Sequence, residues 1–151
     1  MLSTWLPEAS DKLPKIANLF NRDGGPEPPV GISVPQAMYD DFVKISEPIQ
    51  KIRPDYPFEV KVREPRKRPT RMGGTDASVF AIEGVPTLGF TTEDFKGYDF
   101  DYGEIWHTER DLYTKNIPEY QEHTATVTAI IALGVANLDK QLSREGLYTE
   151  E

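Results

Sequence analysis

The chain has 151 residues, of which 38% are hydrophobic and 28% charged, a composition typical of one globular domain with its own core. Its net charge of −8 argues against a nucleic-acid surface, and no apolar run approaches the length of a membrane span. The absence of cysteine excludes disulfides and thiolate metal sites, so that any metal would need oxygen and nitrogen ligands.

The first elements predicted are short. Residues 15–21 are apolar and precede a glycine pair, which predicts a buried strand. Residues 31–34 lie between prolines and predict a second strand. Pro7 and Pro14 limit the short helix predicted over residues 5–13, and the start of the chain lacks the charged and apolar regions of a signal peptide.

A helix and a strand are predicted next. Apolar side chains recur every three or four positions over residues 36–52, which predicts an amphipathic helix that Pro48 should kink. Residues 58–63 alternate between apolar and charged side chains and predict a half-buried strand. The basic residues 66–68 and Arg71 are interpreted as a solvated loop, the alternative being that they face an acidic substrate or the rim of a site.

The rest of the chain continues the alternation of elements. Thr75 or Asp76 should cap a short helix that Gly84 ends, and Pro118 suits the first turn of the last helix. Alternating strands and helices predict an α/β layered fold, with helices packed against a sheet. The predicted elements are a helix over residues 76–83, a buried strand over 85–90, a loop over 94–106 and a helix over 118–142.

Three polar side chains are candidates for chemistry. Asp23 precedes two glycines, so it fits a tight turn, and a carboxylate at a strand end also fits a ligand crevice; the two interpretations are compatible. A lone histidine such as His107 is more often structural. In a chain without cysteine, however, a histidine with carboxylates is the obvious route to a zinc or manganese site. His123 is predicted to be solvated beside Glu119 and Glu122.

The glycine pair of residues 73–76 precedes the predicted short helix. Exposed backbone N–H groups at such a position could cradle a phosphate. The segment lacks the spacing and the lysine of a P-loop, and Asp76 would repel a phosphate; both features argue against a phosphate site.

Taken together, several segments resemble the C-terminal half of the co-catalytic di-zinc exopeptidases, the family of bacterial leucine-type aminopeptidases and plasma glutamate carboxypeptidase. They occur in the family's order and span roughly residues 12–142. These segments are residues 18–25, 73–80, 84–86 and 106–108, followed by Asp111 and Tyr113.

The resemblance implies a three-layer α/β/α sandwich of which this chain is the C-terminal portion, as one domain of a metallopeptidase. It implies that Asp23 and His107 are zinc ligands in a two-zinc site for short peptide substrates, and it points to a periplasmic or extracellular location. It also implies that a loop walls the substrate cleft. That loop comprises Gly73, Gly74, Thr75 and Asp76.

The chain also departs from the family. Relatives often carry histidines where this chain has Ala77 and Trp106, and their remaining ligands and general base come from a His-x-Asp motif and a Glu-Glu pair. Neither motif precedes Asp23, and Glu150-Glu151 is in the wrong place. The expectation is therefore a truncated exopeptidase that is inactive, and binds zinc weakly, as an isolated chain.

Two other hypotheses remain open. The chain could be a non-catalytic binding or assembly module on the same fold, which self-associates or docks a partner through exposed sheet edge and apolar surface. It could also be an unrelated α/β protein in which both glycine-rich motifs are only turns. The exopeptidase hypothesis predicts that the side chains of Asp23 and His107 converge at one end of the sheet.

Overall fold

A mixed three-stranded sheet organises the chain in the computed structural model, which describes residues 11–149. The central strand β1 (Pro29–Val34) pairs in parallel with β2 (Glu59–Val62) and antiparallel with β3 (Phe90–Thr92). The strands predicted over residues 31–34 and 58–63 are thus confirmed in place. The α/β class is confirmed as well, since helices accompany this sheet.

The helices of the described residues vary widely in length. Short 3-10 turns stand at Leu13–Lys15, Gln36–Met38 and Tyr113–Lys115. Within residues 11–149, no helix is long and apolar enough to cross a membrane. The α-helices are α1 (Tyr39–Ile52), α2 (Ala77–Ile82), α3 (Tyr102–Ile105) and α4 (Pro118–Ala136).

The core lies where α1 and α4 pack over the sheet. Both helices contribute apolar side chains to this core. The predicted helix over residues 36–52 is confirmed as a 3-10 turn followed by α1, with the apolar stripe that its spacing predicts. Gly134 of α4 lets the two helices approach, because a Cβ there would lie 2.3 Å from Cγ2 of Ile45. The central members of this core are Ile32, Val34, Phe42, Ile45, Ile49, Val127 and Ile131.

The strand predicted over residues 15–21 is wrong. This segment forms a 3-10 turn at Leu13–Lys15 and a single isolated bridge between Leu19 and Thr87. Side chains of the C-terminal segment bind one of its carbonyl groups: Arg144 and Gln141 both donate to the oxygen of Ile16. The helix predicted over residues 5–13 lies mostly outside the described residues.

The strand predicted over residues 85–90 is misplaced. Val85 and Leu88 are buried as expected, but the ladder begins only at Phe90, where β3 meets β1. Pro86 has no N–H group for a ladder, and this part of the run forms only the single bridge between Leu19 and Thr87, in which the Pro86 carbonyl oxygen accepts a hydrogen bond of 2.9 Å from the N–H of Leu19. An apolar run reports burial and does not by itself distinguish a strand from a packed loop.

Two further boundaries differ from the sequence prediction. The loop predicted over residues 94–106 contains α3. Asp101 is the N-cap of this helix, and its Oδ1 accepts a hydrogen bond of 2.8 Å from the N–H of Gly103. The last helix starts at Pro118 as predicted but ends at Ala136 rather than at residue 142. Leu142 remains buried, which is why the apolar pattern continues past the end of the helix.

The prediction that His123 is solvated is wrong. Its side chain is fully buried, with Nε2 3.0 Å from the carbonyl oxygen of Pro29 and its ring stacked on Tyr56 at 4.0 Å between centroids. His123 precedes Val127 and Ile131 at intervals of four residues, which places all three on the buried stripe of α4. The sequence contained this signal, but the neighbouring glutamates obscured it.

We expect His123 to make the protein less stable as the pH falls below 7. Burial lowers the pKa of His123, opposed by its bond to Pro29, with Arg53 and Lys96 lowering it and Asp55 raising it. Because the unfolded chain binds the proton more readily, the unfolding free energy should decrease from pH 7 to pH 5, with a slope of up to about 1.4 kcal/mol per pH unit. Urea denaturation across this range measures it.

The matched control is a variant that cannot gain a proton at this position. His123→Gln keeps a donor for the Pro29 carbonyl and should flatten the slope. A slope in His123→Gln equal to that of the unchanged protein would contradict the assignment of this pH dependence to His123.

Candidate functional site

Asp23 lies on an exposed turn that its neighbours hold in place. Its Oδ2 accepts a hydrogen bond of 2.6 Å from Nδ2 of Asn21, and Gly25 takes a φ of +69°. Nη2 of Arg22 donates to the carbonyl oxygens of Gly25 and Glu27 and so closes the turn. The turn interpretation of this motif is therefore confirmed, and it leaves the carboxylate at the surface.

His107 follows α3 in an unusual backbone conformation. Its φ is +57°, in the left-handed region, which costs a residue other than glycine about 1 kcal/mol. Thr108 ends the helix by donating from Oγ1 to the carbonyl oxygen of Glu104 at 2.8 Å. The imidazole is exposed and lies 4.8 Å from the Trp106 ring, edge to face.

The segment of residues 73–76 leads into α2. The carbonyl oxygen of Thr75 accepts hydrogen bonds from the N–H and the Oγ of Ser78, at 3.1 and 2.7 Å. Asp76 holds the N-cap position, but its side chain makes no capping hydrogen bond, so the predicted side-chain cap is not formed. Gly84 follows the C-terminal end of α2 with a φ of +75°, so the prediction that the helix ends at this glycine is confirmed.

These three segments line one cavity of about 690 Å³. A neighbouring cavity of about 790 Å³ and another of about 460 Å³ extend it, and Asp23 lines all three. The candidate site is therefore a cleft centred on Asp23, with Gly73 outside the lining of the 690 Å³ cavity. That cavity is lined by Asp23, Gly24, Gly74, Thr75, Asp76, Tyr102, Trp106 and His107.

The residues present fit part of a zinc site. Carboxylate oxygen and imidazole nitrogen are zinc ligands in kind, but catalytic zinc takes three protein ligands. Among residues 11–149, no three histidine, aspartate or glutamate side chains are grouped closely enough to hold a metal ion. The described residues therefore do not form a complete zinc site, although Asp23 and His107 both line the cavity.

A cluster that the sequence did not indicate holds the loop before α3. Glu119, at the start of α4, accepts hydrogen bonds from Nζ of Lys96 at 2.5 Å, from Tyr98 and from the Tyr56 hydroxyl at 2.9 Å. The hydrogen bonds from Lys96, then those from Tyr98 and Tyr56, lower the pKa of Glu119 to about 2. This loop continues into Tyr102, so the cluster helps to set the position of the cleft wall.

A second carboxylate completes this anchor. Oδ1 of Asp94 accepts hydrogen bonds from the hydroxyl of Tyr120 at 2.6 Å and from the N–H of Tyr98 at 3.0 Å. The aromatic and acidic composition of residues 94–106 was the available signal. The apolar residues of this segment have no regular period, so the sequence did not indicate which residues Asp94, Lys96 and Tyr98 contact.

The basic run is exposed, as a loop would be, but two of its arginines bind the protein itself. Arg66 donates to the carbonyl oxygen and to Oγ1 of Thr87, at 3.0 and 2.8 Å. Arg68 donates from Nε to the carbonyl oxygen of Ile82 at 2.8 Å, at the end of α2. Lys67 lines the 460 Å³ cavity, so part of the run lies at the rim of the cleft.

Comparison of the chain with protein-family models, with curated proteins and with solved structures gave no match. The cleft and the motifs within the chain are therefore the features that bear on its function.

Proposed function

We propose that this chain is part of a zinc-dependent exopeptidase. The observation that carries the proposal is the cavity that Asp23 and His107 line together with residues 74–76. These are the segments that resemble the metal-ligand and cleft-wall motifs of that family, and they are far apart in the sequence.

In the proposed function, each segment has a separate role. Asp23 and His107 bind zinc, and residues 73–76 form the wall that orients a short peptide. When bound, zinc supplies an activated water molecule for hydrolysis of the peptide bond. The described carboxylates include no third ligand for the site, and no Glu-Glu pair precedes Asp23 to provide the base, so the isolated chain should be inactive.

The fold proposed for the parent enzyme is a three-layer α/β/α sandwich. The three strands would then be the C-terminal part of a larger mixed sheet, with α1 and α4 forming one outer layer. The joint contribution of α1, α4 and the sheet to one core supports this arrangement.

Zinc binding to the isolated chain tests the proposed ligands. We expect weak, saturable binding that shifts the imidazole NMR signals of His107, because two ligands form an incomplete zinc site. Asp23→Ala should weaken this binding about tenfold, whereas Asp139→Ala, an equal charge change at another exposed position, should not. The buried ring of His123 serves as the internal reference.

Two results would count against the proposal. One is zinc binding at His107 that Asp23→Ala leaves unchanged. The other is robust aminopeptidase turnover with added zinc that survives His107→Ala, because hydrolysis would then not involve this histidine.

A second candidate function is a binding or assembly module without catalysis. It is favoured by large apolar side chains that are exposed around the 790 Å³ cavity: Trp106 (59% exposed), Leu112 (56%) and Tyr113 (90%). Absence of saturable zinc binding at His107, together with stable association through these side chains, would favour the module over the exopeptidase.

A further inference from the structure

The outer edge of β2 is exposed. Among the described strands, β2 pairs only with β1, so its other edge has no strand beside it. Its side chains are exposed or half-buried, and Val62 is 45% exposed. Such an edge presents backbone groups that can pair with another strand.

The register determines which backbone groups point outward. The N–H of Arg63 donates to the carbonyl oxygen of Val34, and Val34 stands opposite Val62. In a parallel ladder with this pattern, Glu59 and Lys61 direct their N–H and C=O groups toward β1. The N–H and C=O groups of Val60 and Val62 therefore point away from the sheet. Phe58 immediately precedes β2, and its N–H and C=O groups point the same way when this alternation extends from Val60 two residues toward the N-terminus.

The edge sequence is complementary to itself. In an antiparallel pair centred on Val60, Phe58 stands opposite the second copy's Val62, and Glu59 stands opposite its Lys61. The apolar pairs then lie on one face and the opposite charges on the other, because side chains alternate between faces. Within one chain, Lys61 and Glu59 already form an ion pair of 3.1 Å, which shows that these side chains occupy the same face.

We propose that β2 is a docking surface for a second copy of this chain. Two copies pair β2 with β2 in antiparallel orientation around a two-fold axis at Val60, which joins the two sheets into one. The outward N–H and C=O groups of Val60 face those of Val60 in the second copy, and those of Phe58 face those of the second copy's Val62. Each of these is the hydrogen-bonded type of antiparallel pair. Pro57 has no N–H group and limits the pairing on that side.

Charge explains why a second copy is the occupant. Charged side chains on an edge normally prevent strand pairing. Here the charges alternate in sign, so a copy of the same strand brings Lys61 to Glu59 twice, and opposite charges facing each other across strands are favourable. A strand with two like charges would be repelled.

Charge reversal tests the proposed pairing. Sedimentation equilibrium from about 10 µM to about 500 µM suits an interface below the standard size and should show a reversible dimer. Lys61→Glu should weaken dimerisation about tenfold, because each of the two pairs between position 61 and Glu59 of the other copy then places two negative charges opposite each other. The double variant Glu59→Lys/Lys61→Glu restores complementarity and should restore the dimer, whereas Lys140→Glu, an exposed control with the same charge change, should leave it intact.

Hydrogen exchange gives an independent readout without any substitution. The amides of Val60 and Val62 should gain protection as the protein concentration rises, whereas that of Lys61, which faces β1, should not change. A protein that stays monomeric over this range, a dimer that Lys61→Glu does not affect, or a double variant that fails to recover would each overturn the proposal.

Discussion

Gly134→Ala should destabilise the protein by about 1–3 kcal/mol, the cost expected for an added methyl group in a packed core. The new Cβ would lie 2.3 Å from Cγ2 and 2.9 Å from Cγ1 of Ile45, so the two helices must separate or Ile45 must leave its rotamer. Helix propensity alone predicts the opposite, since alanine stabilises a helix interior by about 1 kcal/mol relative to glycine. Urea denaturation of the variant distinguishes the two effects.

A second substitution isolates the contact. Ile45→Ala creates space at the crossing, so the double variant should lose less stability than the two single variants combined. Ala132→Gly is the control for propensity, because it changes the same residue types at an exposed position of α4. If Gly134→Ala raises the free energy of unfolding, α1 and α4 do not approach each other as closely at Gly134 as described.

Arg144→Ala should cost about 2–4 kcal/mol, because hydrogen bonds from a charged group contribute about 1.5–3 kcal/mol each and do not add fully. One guanidinium joins two distant parts of the chain. Nη1 donates to the carbonyl oxygen of Gly84 at 3.0 Å, and Nη2 to those of Leu13 and Ile16 at 3.1 and 3.3 Å. Removing it leaves these carbonyl groups without that donor.

The local consequence of Arg144→Ala is a test in itself. The N–H of Leu19 donates to the carbonyl oxygen of Pro86 at 2.9 Å, and its exchange with solvent should accelerate more than that of the β1 amides. Arg144→Lys should be intermediate, since an ammonium group lacks the planar fork that reaches several carbonyl groups. Lys140→Ala should be neutral; a loss below about 0.5 kcal/mol for Arg144→Ala would refute the structural role.

The same guanidinium matters for the cleft. Residues 13–19 lead to the Asp23 turn, and Gly84 ends the segment that starts with the 73–76 loop. If the exopeptidase proposal holds, Arg144→Ala should also weaken zinc binding at His107, although Arg144 does not line the 690 Å³ cavity. Zinc binding would thus report a role of Arg144 in positioning the cleft, separately from its effect on the free energy of unfolding.

Local patterns in the sequence determined the elements that residue spacing and backbone preference specify. The apolar period of α1, the start of α4 at Pro118, the strand of residues 31–34 and the end of a helix at Gly84 all follow from spacing and backbone preference. Composition determined that the chain cannot form disulfides or thiolate metal sites. The motifs containing Asp23 and His107 were likewise visible from sequence alone.

Contacts between distant residues decided the rest. His123 is buried because its ring meets Tyr56 and Pro29, and the Ile16 carbonyl group accepts hydrogen bonds from the side chains of Gln141 and Arg144 instead of from a neighbouring strand. A local pattern shows how apolar residues are spaced along the chain. It does not show which distant residue a polar group contacts in the folded protein. For the same reason, only the tertiary structure shows that Asp23, residues 74–76 and His107 line one cavity.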